Sequence, residues 1–331
     1  MEIVVLDGHT TNPGDLDWSA LERLGETVIY DNTETDEIVP RAKKAQAIIT
    51  NKVPLTADIL SQLPRLQYIG ILATGIDHVD VNAAQARGIR VTNVPLYANH
   101  SVSQLAFALI LELCYRIDLH HHSIVNEFLW TSQPYNSYWL QPLIGLDGKT
   151  LGIIGLGKIG QRMAAIGTTF GMRIVAFDMF RYEYPAVKWM TFEELLKTSD
   201  FITLHCPLTE STYGMINKKT LAMMKSGTYL VNTSRGGLVV DQDLADALNS
   251  GHLAGAGLDV LSQEPPKKDH PLLHAKNCIL TPHIGWATTN ARAQLIRQVA
   301  DNLEAFIQGI ELNVVPGSNR QAPAVLAKTN I

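Results

Sequence analysis

Apolar residues along the chain come in two recurring forms. Short continuous runs read as buried strands, and runs with apolar positions every three or four residues read as helices. Up to about residue 100, strands at Ile3 to Leu6, Thr27 to Tyr30, Ala47 to Thr50, Tyr68 to Leu72 and Ile89 to Thr92 alternate with helices. The helices fall at Trp18 to Leu24, Glu37 to Lys44, Thr56 to Leu63 and Val81 to Arg87. A second alternation begins at Thr150, with strands at Leu151 to Ile154, Arg173 to Phe177, Phe201 to His205, Tyr229 to Asn232, Ala254 to Val260 and Cys278 to Thr281. Between them lie helices at Ile159 to Phe170, after the capping box that opens at Thr191, at Lys218 to Met224, and from Asp241 to a stop at Gly251. Apolar strands alternating with helices make parallel sheets covered on both faces. The fold class is therefore α/β, with two doubly wound parallel-sheet domains.

A long helical stretch, Ser101 to about Val125, leads into the second alternation, and a closing helix, Thr288 to Gln308, follows it. The expected division is a discontinuous domain, 1–100 with 287–331, around a domain at 101–286. The last dozen residues read as an ordered-to-frayed tail. Between the long helix and Thr150 lies an irregular segment rich in aromatics, Phe128, Trp130, Tyr135, Tyr138 and Trp139. These are expected to bury large side chains, either within the chain or against a second subunit.

The stretch Thr150-Leu-Gly-Ile-Ile-Gly155-Leu-Gly157-Lys158-Ile159-Gly160 joins the first strand and helix of the second domain. Its three glycines have G-x-G-x-x-G spacing, and a second apolar run ends at Asp178. Gly155 suits the tight turn, Gly157 a close backbone approach to a pyrophosphate, and Gly160 close helix–strand packing. The positive helix end faces the phosphates. Asp178 can accept hydrogen bonds from ribose hydroxyls and disfavours a 2′-phosphate, which points to NAD over NADP; Arg181 weakens that preference slightly.

Bulk composition narrows the remaining options. A chain of 331 residues with 46% hydrophobic content suits two domains with full cores. A net charge of −5 argues against a nucleic-acid partner. The three cysteines, Cys114, Cys206 and Cys278, are scattered without metal spacing and read as reduced residues of a cytoplasmic protein. The start, Met1-Glu-Ile-Val-Val, reads as a strand and not a signal peptide. The most apolar stretch, Leu105 to Tyr115, is too short to span a bilayer, so no membrane partner is expected. The run His120-His121-His122 invites a metal reading, but consecutive helical residues point in different directions. It reads as a solvated helix end, and no metal is expected.

Three further stretches follow strands of the second domain: Asn232-Thr233-Ser234-Arg235-Gly-Gly237, Asp259-Val-Leu-Ser-Gln-Glu264-Pro-Pro, and Thr281-Pro-His283-Ile-Gly285-Trp286. Ligands of open α/β sheets bind outside the strand carboxyl ends. Alone, each charged residue reads as a surface ion pair or a packed loop residue. Together, they match what reduction of a 2-keto acid requires. Arg235 could hold a carboxylate bidentately. His283 could give a proton to the developing alkoxide, and Glu264 could orient and charge His283.

With these motifs the chain resembles the D-2-hydroxyacid dehydrogenases over roughly residues 1–315. The resemblance rests on Gly155 to Gly160, His205-Cys206-Pro207-Leu-Thr209, Asn232 to Gly237, Gly257-Leu-Asp-Val260 with Glu264-Pro-Pro266, and Thr281 to Ile284. It implies a Rossmann NAD domain and a flavodoxin-like substrate domain with a hinge-closing cleft. It implies a homodimer through the NAD domain, and Arg235, Glu264 and His283 as catalytic residues. It further implies cofactor contacts at Gly155, Gly157, Lys158, Ile159, Gly160, Asp178, Cys206, Pro207, Thr212, Thr233, Ser234, Asp259 and Gly285. The loop Ala73-Thr74-Gly75-Ile-Asp77 would hold the substrate carboxylate, with Asn51 and Trp139 as further substrate contacts. Within the family, Ala73 to Gly75 and His283 to Trp286 are most similar to the glycerate dehydrogenase, or hydroxypyruvate reductase, branch. Ser103-Gln104 departs from the Ala-Glu of many relatives. The expected function is NADH-dependent reduction of hydroxypyruvate or glyoxylate. The alternative is a non-catalytic, NAD-sensing module of the same fold that acts like a corepressor.

Overall fold

The computed structural model describes residues 1–185 and 187–317. The expected tail over the last dozen residues lies outside the described residues. The chain forms two compact units, one from Met1–Tyr97 with the segment that starts at Ala287, the other from Ala98–Trp286. Among the described residues, no helix is long and apolar enough to cross a membrane.

The first unit holds strands β1 (Glu2–Val5), β2 (Glu26–Ile29), β3 (Ala47–Thr50), β4 (Tyr68–Ile71) and β5 (Arg90–Thr92) in the order β2-β1-β3-β4-β5. All pairs are parallel, so each strand carboxyl end points to the same edge. The inner strands β3 and β4 are buried throughout, whereas edge strand β2 alternates between exposed and half-buried positions. Helix Thr289–Ile307 covers β4: a Cβ on Gly70 would lie 3.0 Å from Val299 Cγ2, and Phe306 packs 5.0 Å from the Tyr68 ring. Arg292 ties this helix to the unit's beginning. Its guanidinium donates to both Asp15 oxygens at 2.8 and 2.6 Å, to the Thr11 carbonyl at 3.0 Å and to the Ala287 carbonyl at 2.9 Å.

The second unit holds β6 (Thr150–Ile154), β7 (Arg173–Phe177), β8 (Lys188–Trp189), β9 (Phe201–Leu204), β10 (Thr228–Asn232), β11 (Leu253–Leu258) and β12 (Cys278–Leu280). Their order is β12-β11-β10-β9-β6-β7-β8, again parallel. Neighbouring residues of β6 enter different cores. Ile153 packs with Phe201, Met163 and Val231, and Ile154 packs with Leu204, Leu230 and Leu258. That division requires helices on both faces of the sheet. Strand β8 has no counterpart in the apolar pattern, because two residues are too short to carry one. The Thr191 box forms as the spacing predicts, with Glu194 accepting from the Thr191 N–H at 2.9 Å.

The expected helix Ser101 to Val125 is two helices, Asn99–Tyr115 and Ile117–Val125. Arg116 breaks it with φ +47°, a left-handed conformation that favours glycine. Glu112 supports the break: its carbonyl accepts from the Arg116 N–H at 2.7 Å and its carboxylate from the Ile117 N–H at 3.2 Å. Neither Gly nor Pro marks the site, so the pattern of residues carries no stop signal there.

The first helix of the second unit closes on its strand at Gly160, where a Cβ would fall 2.2 Å from the Gly155 carbonyl oxygen. Gly160→Ala should therefore push the first helix away from β6. Thermal unfolding of the variant should show a loss of about 1–3 kcal/mol, the usual cost of overpacking, together with weaker NADH binding by fluorescence titration. An unchanged midpoint would show that the turn relaxes freely.

Candidate active site

The carboxyl edge of the second sheet begins with the glycine turn. Gly155 has φ +92°, and a Cβ there would lie 2.6 Å from the Cys206 nitrogen. Gly157 is the N-cap of helix Lys158–Thr169, has no side-chain cap, and would meet nothing within 4 Å if it bore a Cβ. The first-turn N–H groups of Lys158, Ile159 and Gly160 have no intrahelical acceptor. A helix end open in this way fits a pyrophosphate. Asp178 stands beside it. One carboxylate oxygen accepts from the Leu156 N–H at 2.7 Å and the other from the Phe180 N–H at 3.1 Å, so its position is set before any ribose arrives.

The loops after β9 and β10 complete this edge. Cys206 is half-buried, and burial pushes its thiol up to about 11. Thr212 donates to the Pro207 carbonyl at 2.8 Å and accepts from the Thr209 N–H at 2.8 Å. Ser234 donates from its hydroxyl to the Leu204 carbonyl at 3.1 Å, and its N–H donates to Asn232 Oδ1 at 3.0 Å. Among the described residues, the buried Thr233 Oγ1 has no hydrogen-bond partner. A buried orphan hydroxyl fits a site that receives a polar ligand group. Burial pulls His205 down to about 3, so its ring is neutral and shares a 2.8 Å hydrogen bond with Thr203 Oγ1.

Arg235 follows β10. Its guanidinium donates to the Ser234 carbonyl at 2.9 Å, and its own carbonyl accepts from Asn232 Nδ2 at 2.9 Å. Glu264 follows β11. Its Oε1 accepts from the Leu261 N–H at 3.1 Å, and its Oε2 lies 2.5 Å from His283 Nδ1. A carboxylate only accepts, so Nδ1 carries the proton and Nε2 is left for other work. Both side chains keep partial access to solvent. The structure thus joins His283 and Glu264 directly, and the Arg235 turn abuts the Glu264 loop. A Cβ on Gly236 would lie 1.9 Å from the Leu261 carbonyl carbon.

Asp259, expected as a cofactor contact, has a second task that the sequence reading did not find. It is 2% exposed, and burial pushes its carboxyl up. It accepts from Thr281 Oγ1 at 2.6 Å and from the N–H groups of Ile284 and Gly285 at 2.8 Å each. These bonds bracket His283, whose φ of +55° lies in the left-handed region. An acid at a strand end, facing a loop that carries a histidine, was the available signal. Gly285 fits because a Cβ there would lie 2.9 Å from Asp259 Oδ2.

In the first unit, Asn51 is 2% exposed and donates to the Leu72 carbonyl at 2.5 Å, and its Oδ1 has no partner among the described residues. The Asp7 carboxylate holds its loop by accepting from the N–H groups of Asn51 at 2.8 Å and Lys52 at 2.6 Å. Thr74 donates its hydroxyl to the Val94 carbonyl at 2.8 Å, and its carbonyl accepts from Asn93 Nδ2 at 2.7 Å. Gly75 follows it, half-buried. Trp139 is 66% exposed, and Phe128, Trp130 and Tyr135 are exposed with it, so these side chains are not buried within their own chain. His121 and His122 are solvated as expected. His120 is not: its Nδ1 lies 2.8 Å from the Arg116 carbonyl oxygen, and its Nε2 accepts from the Leu140 N–H at 3.1 Å.

A family profile, D-isomer specific 2-hydroxyacid dehydrogenase, NAD binding domain, matches residues 107–285. The chain belongs to this family. It is 48% identical to the hydroxypyruvate reductase of Blautia hydrogenotrophica, over 95% of this chain and 99% of that one. It is 42% identical to the glycerate dehydrogenase of Methylorubrum extorquens, over 86% and 90% of the two chains. The crystal structure of D-lactate dehydrogenase from Aquifex aeolicus, complexed with NAD and lactic acid, matches with a TM-score of 0.78 at 31% identity, covering 93% and 96%. The chain is thus an NAD-dependent 2-hydroxyacid dehydrogenase, and the non-catalytic alternative is set aside.

In this dehydrogenase the Asp178 carboxylate accepts from the Leu156 N–H of the glycine turn, which supports its expected place beside a cofactor ribose. NADH should be preferred over NADPH in kcat/KM. Asp178→Ala should narrow the gap, since it removes ribose acceptors and a repulsive charge. Steady-state kinetics with both cofactors checks this, and equal or better use of NADPH by the unmodified protein would refute it.

Proposed function

We propose that this chain reduces hydroxypyruvate or glyoxylate to the D-hydroxyacid, with Arg235, Glu264 and His283 as catalytic residues. The observation that carries the reading is the 2.5 Å contact between His283 Nδ1 and Glu264 Oε2, on a loop tethered by buried Asp259. NADH, when bound, supplies the hydride to the keto carbon. The residues proposed to hold it are Gly155, Gly157, Lys158, Ile159, Gly160 and Asp178, with Cys206, Pro207, Thr212, Thr233, Ser234, Asp259 and Gly285. His283 gives the proton on Nε2 to the carbonyl oxygen, and Glu264 stabilises the imidazolium and fixes its orientation. Arg235 holds the carboxylate with its planar fork, which aligns the carbonyl. Backbone N–H groups of Thr74 and Gly75 are suited to the same carboxylate chemistry, and Asn51 holds the adjoining loop. We further propose a homodimer through the NAD domain and a cytoplasmic location. The exposed aromatic segment around Trp139 supports the dimer, and the scattered, unpaired cysteines support the location. Initial rates with a panel of 2-keto acids and NADH test the substrate assignment; no turnover of hydroxypyruvate or glyoxylate would refute it.

Arg235→Lys keeps the charge but loses the fork. It should lower kcat/KM on the order of 100-fold by misaligning the carbonyl, with NADH affinity little changed. Collapse of NADH binding with a normal rate constant would make Arg235 a cofactor residue instead.

Reduction needs His283 charged, and oxidation of the hydroxyacid needs it neutral. The reduction rate should therefore fall as pH rises, while the oxidation rate rises over the same interval. Glu264→Gln deletes the carboxylate charge beside His283, so the profiles of kcat/KM against pH should be displaced from those of the unmodified protein. His283→Ala should cost reduction roughly 10²- to 10⁴-fold, the range of a positioned acid. Profiles that superimpose would contradict the role of Glu264.

Trp139 is proposed to reach the active site of the partner subunit. Trp139→Ala should remain dimeric by light scattering yet discriminate less between glyoxylate and larger keto acids. Unchanged discrimination would remove this role.

A further inference from the structure

Glu264 sits on a loop that is itself held from behind. Asp241, the first residue of helix Asp241–Asn249, accepts hydrogen bonds from Ser262 Oγ and, at 2.9 Å, from His270 Nε2. The side chains of His270 and Asp241 are only 7% and 12% exposed. His270 Nδ1 accepts from the Leu272 N–H at 3.4 Å, so the ring proton is on Nε2 and points at Asp241. One carboxylate therefore spans the loop, gripping it at Ser262, two residues before Glu264, and at His270, six residues after it.

The same segment is pressed from the Arg235 side. Gly236 admits the loop backbone, since a Cβ there would lie 2.4 Å from the Ser262 nitrogen. Asp241 leaves that turn five residues later and bonds to the loop that Gly236 touches. A backbone contact at Gly236 and the Asp241 carboxylate thus both bear on the spacing between the Arg235 turn and the Glu264 loop. An apolar residue at 241 would leave the buried His270 Nε2–H without this acceptor and release Ser262, which is unfavourable enough to move the loop.

We propose that Asp241 is a positioning residue for the reduction: through Ser262 and His270 it sets the loop so that Glu264 Oε2 meets His283 Nδ1. This rests on the catalytic reading of Glu264 and His283 given above. Asp241 acts on the reaction only through Glu264, so its effect should vanish when Glu264 is already disabled.

The test is a double-mutant cycle with Asp241→Ala and Glu264→Gln, read as kcat/KM for hydroxypyruvate against pH. Asp241→Ala alone should lower kcat/KM about tenfold, a part of what a misplacement near 1 Å can cost. It should move the pH profile in the same direction as Glu264→Gln, with the NADH dissociation constant changed by less than about twofold. In the Glu264→Gln background it should cost less than about twofold more. Asp241→Asn, which keeps an acceptor, should restore most of the rate. Should Asp241→Ala fold poorly, Ser262→Ala removes one grip and should give the same pH displacement with a loss of about threefold. A profile that moves in Glu264→Gln but not in Asp241→Ala or Ser262→Ala, or a full tenfold loss in the Glu264→Gln background, overturns this inference alone. A profile unmoved in Glu264→Gln overturns the catalytic reading, and this inference with it.

Discussion

The carboxylate of Asp259 is the constraint on which the site depends. It lies buried at the end of β11, where a charged group is unfavourable unless it is fully hydrogen-bonded. Its donors all come from the segment Thr281 to Gly285. That arrangement holds His283 in a left-handed conformation, which costs an ordinary residue roughly 1–2 kcal/mol. Released from Asp259, the segment would relax, and the imidazole would leave Glu264. The buried anion and the His283–Glu264 pair are thus one structure. The first unit repeats the device at the end of β1, where buried Asp7 collects the N–H groups of Asn51 and Lys52 and shapes that loop.

Strand polarity explains why such loops gather. All pairs in both sheets are parallel, so every strand delivers its carboxyl end to one edge of its sheet. Strands β9, β10, β11 and β12 therefore deposit Cys206, Arg235, Glu264 and His283 along one edge of the second unit. Close approach along that edge needs positions without side chains. Gly155, Gly160 and Gly236 are those positions, and each would place a Cβ against backbone that has nowhere to go. The glycines at 155 and 160 shape the turn between β6 and its helix, while Gly236 lets the Arg235 turn meet the Glu264 loop.

Much of this was legible in the residues because parallel sheets leave a strong local trace. Continuous apolar runs mark strands such as β3 and β9, and G-x-G-x-x-G followed by Asp178 marks the cofactor turn. Arg235, Glu264 and His283 stood out as candidates because each follows a strand in a unit already read as nucleotide-binding, and two of them meet in the structure. The break at Arg116 was not legible, since the group that stabilises it is the Glu112 side chain and not a glycine or proline. Strand β8 was missed because two residues carry no period.

The chain by itself determined most of the elements, their parallel pairing and the glycine turn, and it singled out Arg235, Glu264 and His283 as candidates. These follow from local rules of periodicity, chirality and side-chain chemistry, which act over a few residues. Only the tertiary structure decided that Asp259 grips the His283 loop, that Asp241 grips the Glu264 loop, and that the aromatic residues near Trp139 stay exposed. These outcomes depend on hydrogen bonds between residues some twenty to thirty positions apart, and on which surfaces the packed chain leaves uncovered. No local pattern encodes such pairings, because they exist only once the strands have brought distant loops to a common edge.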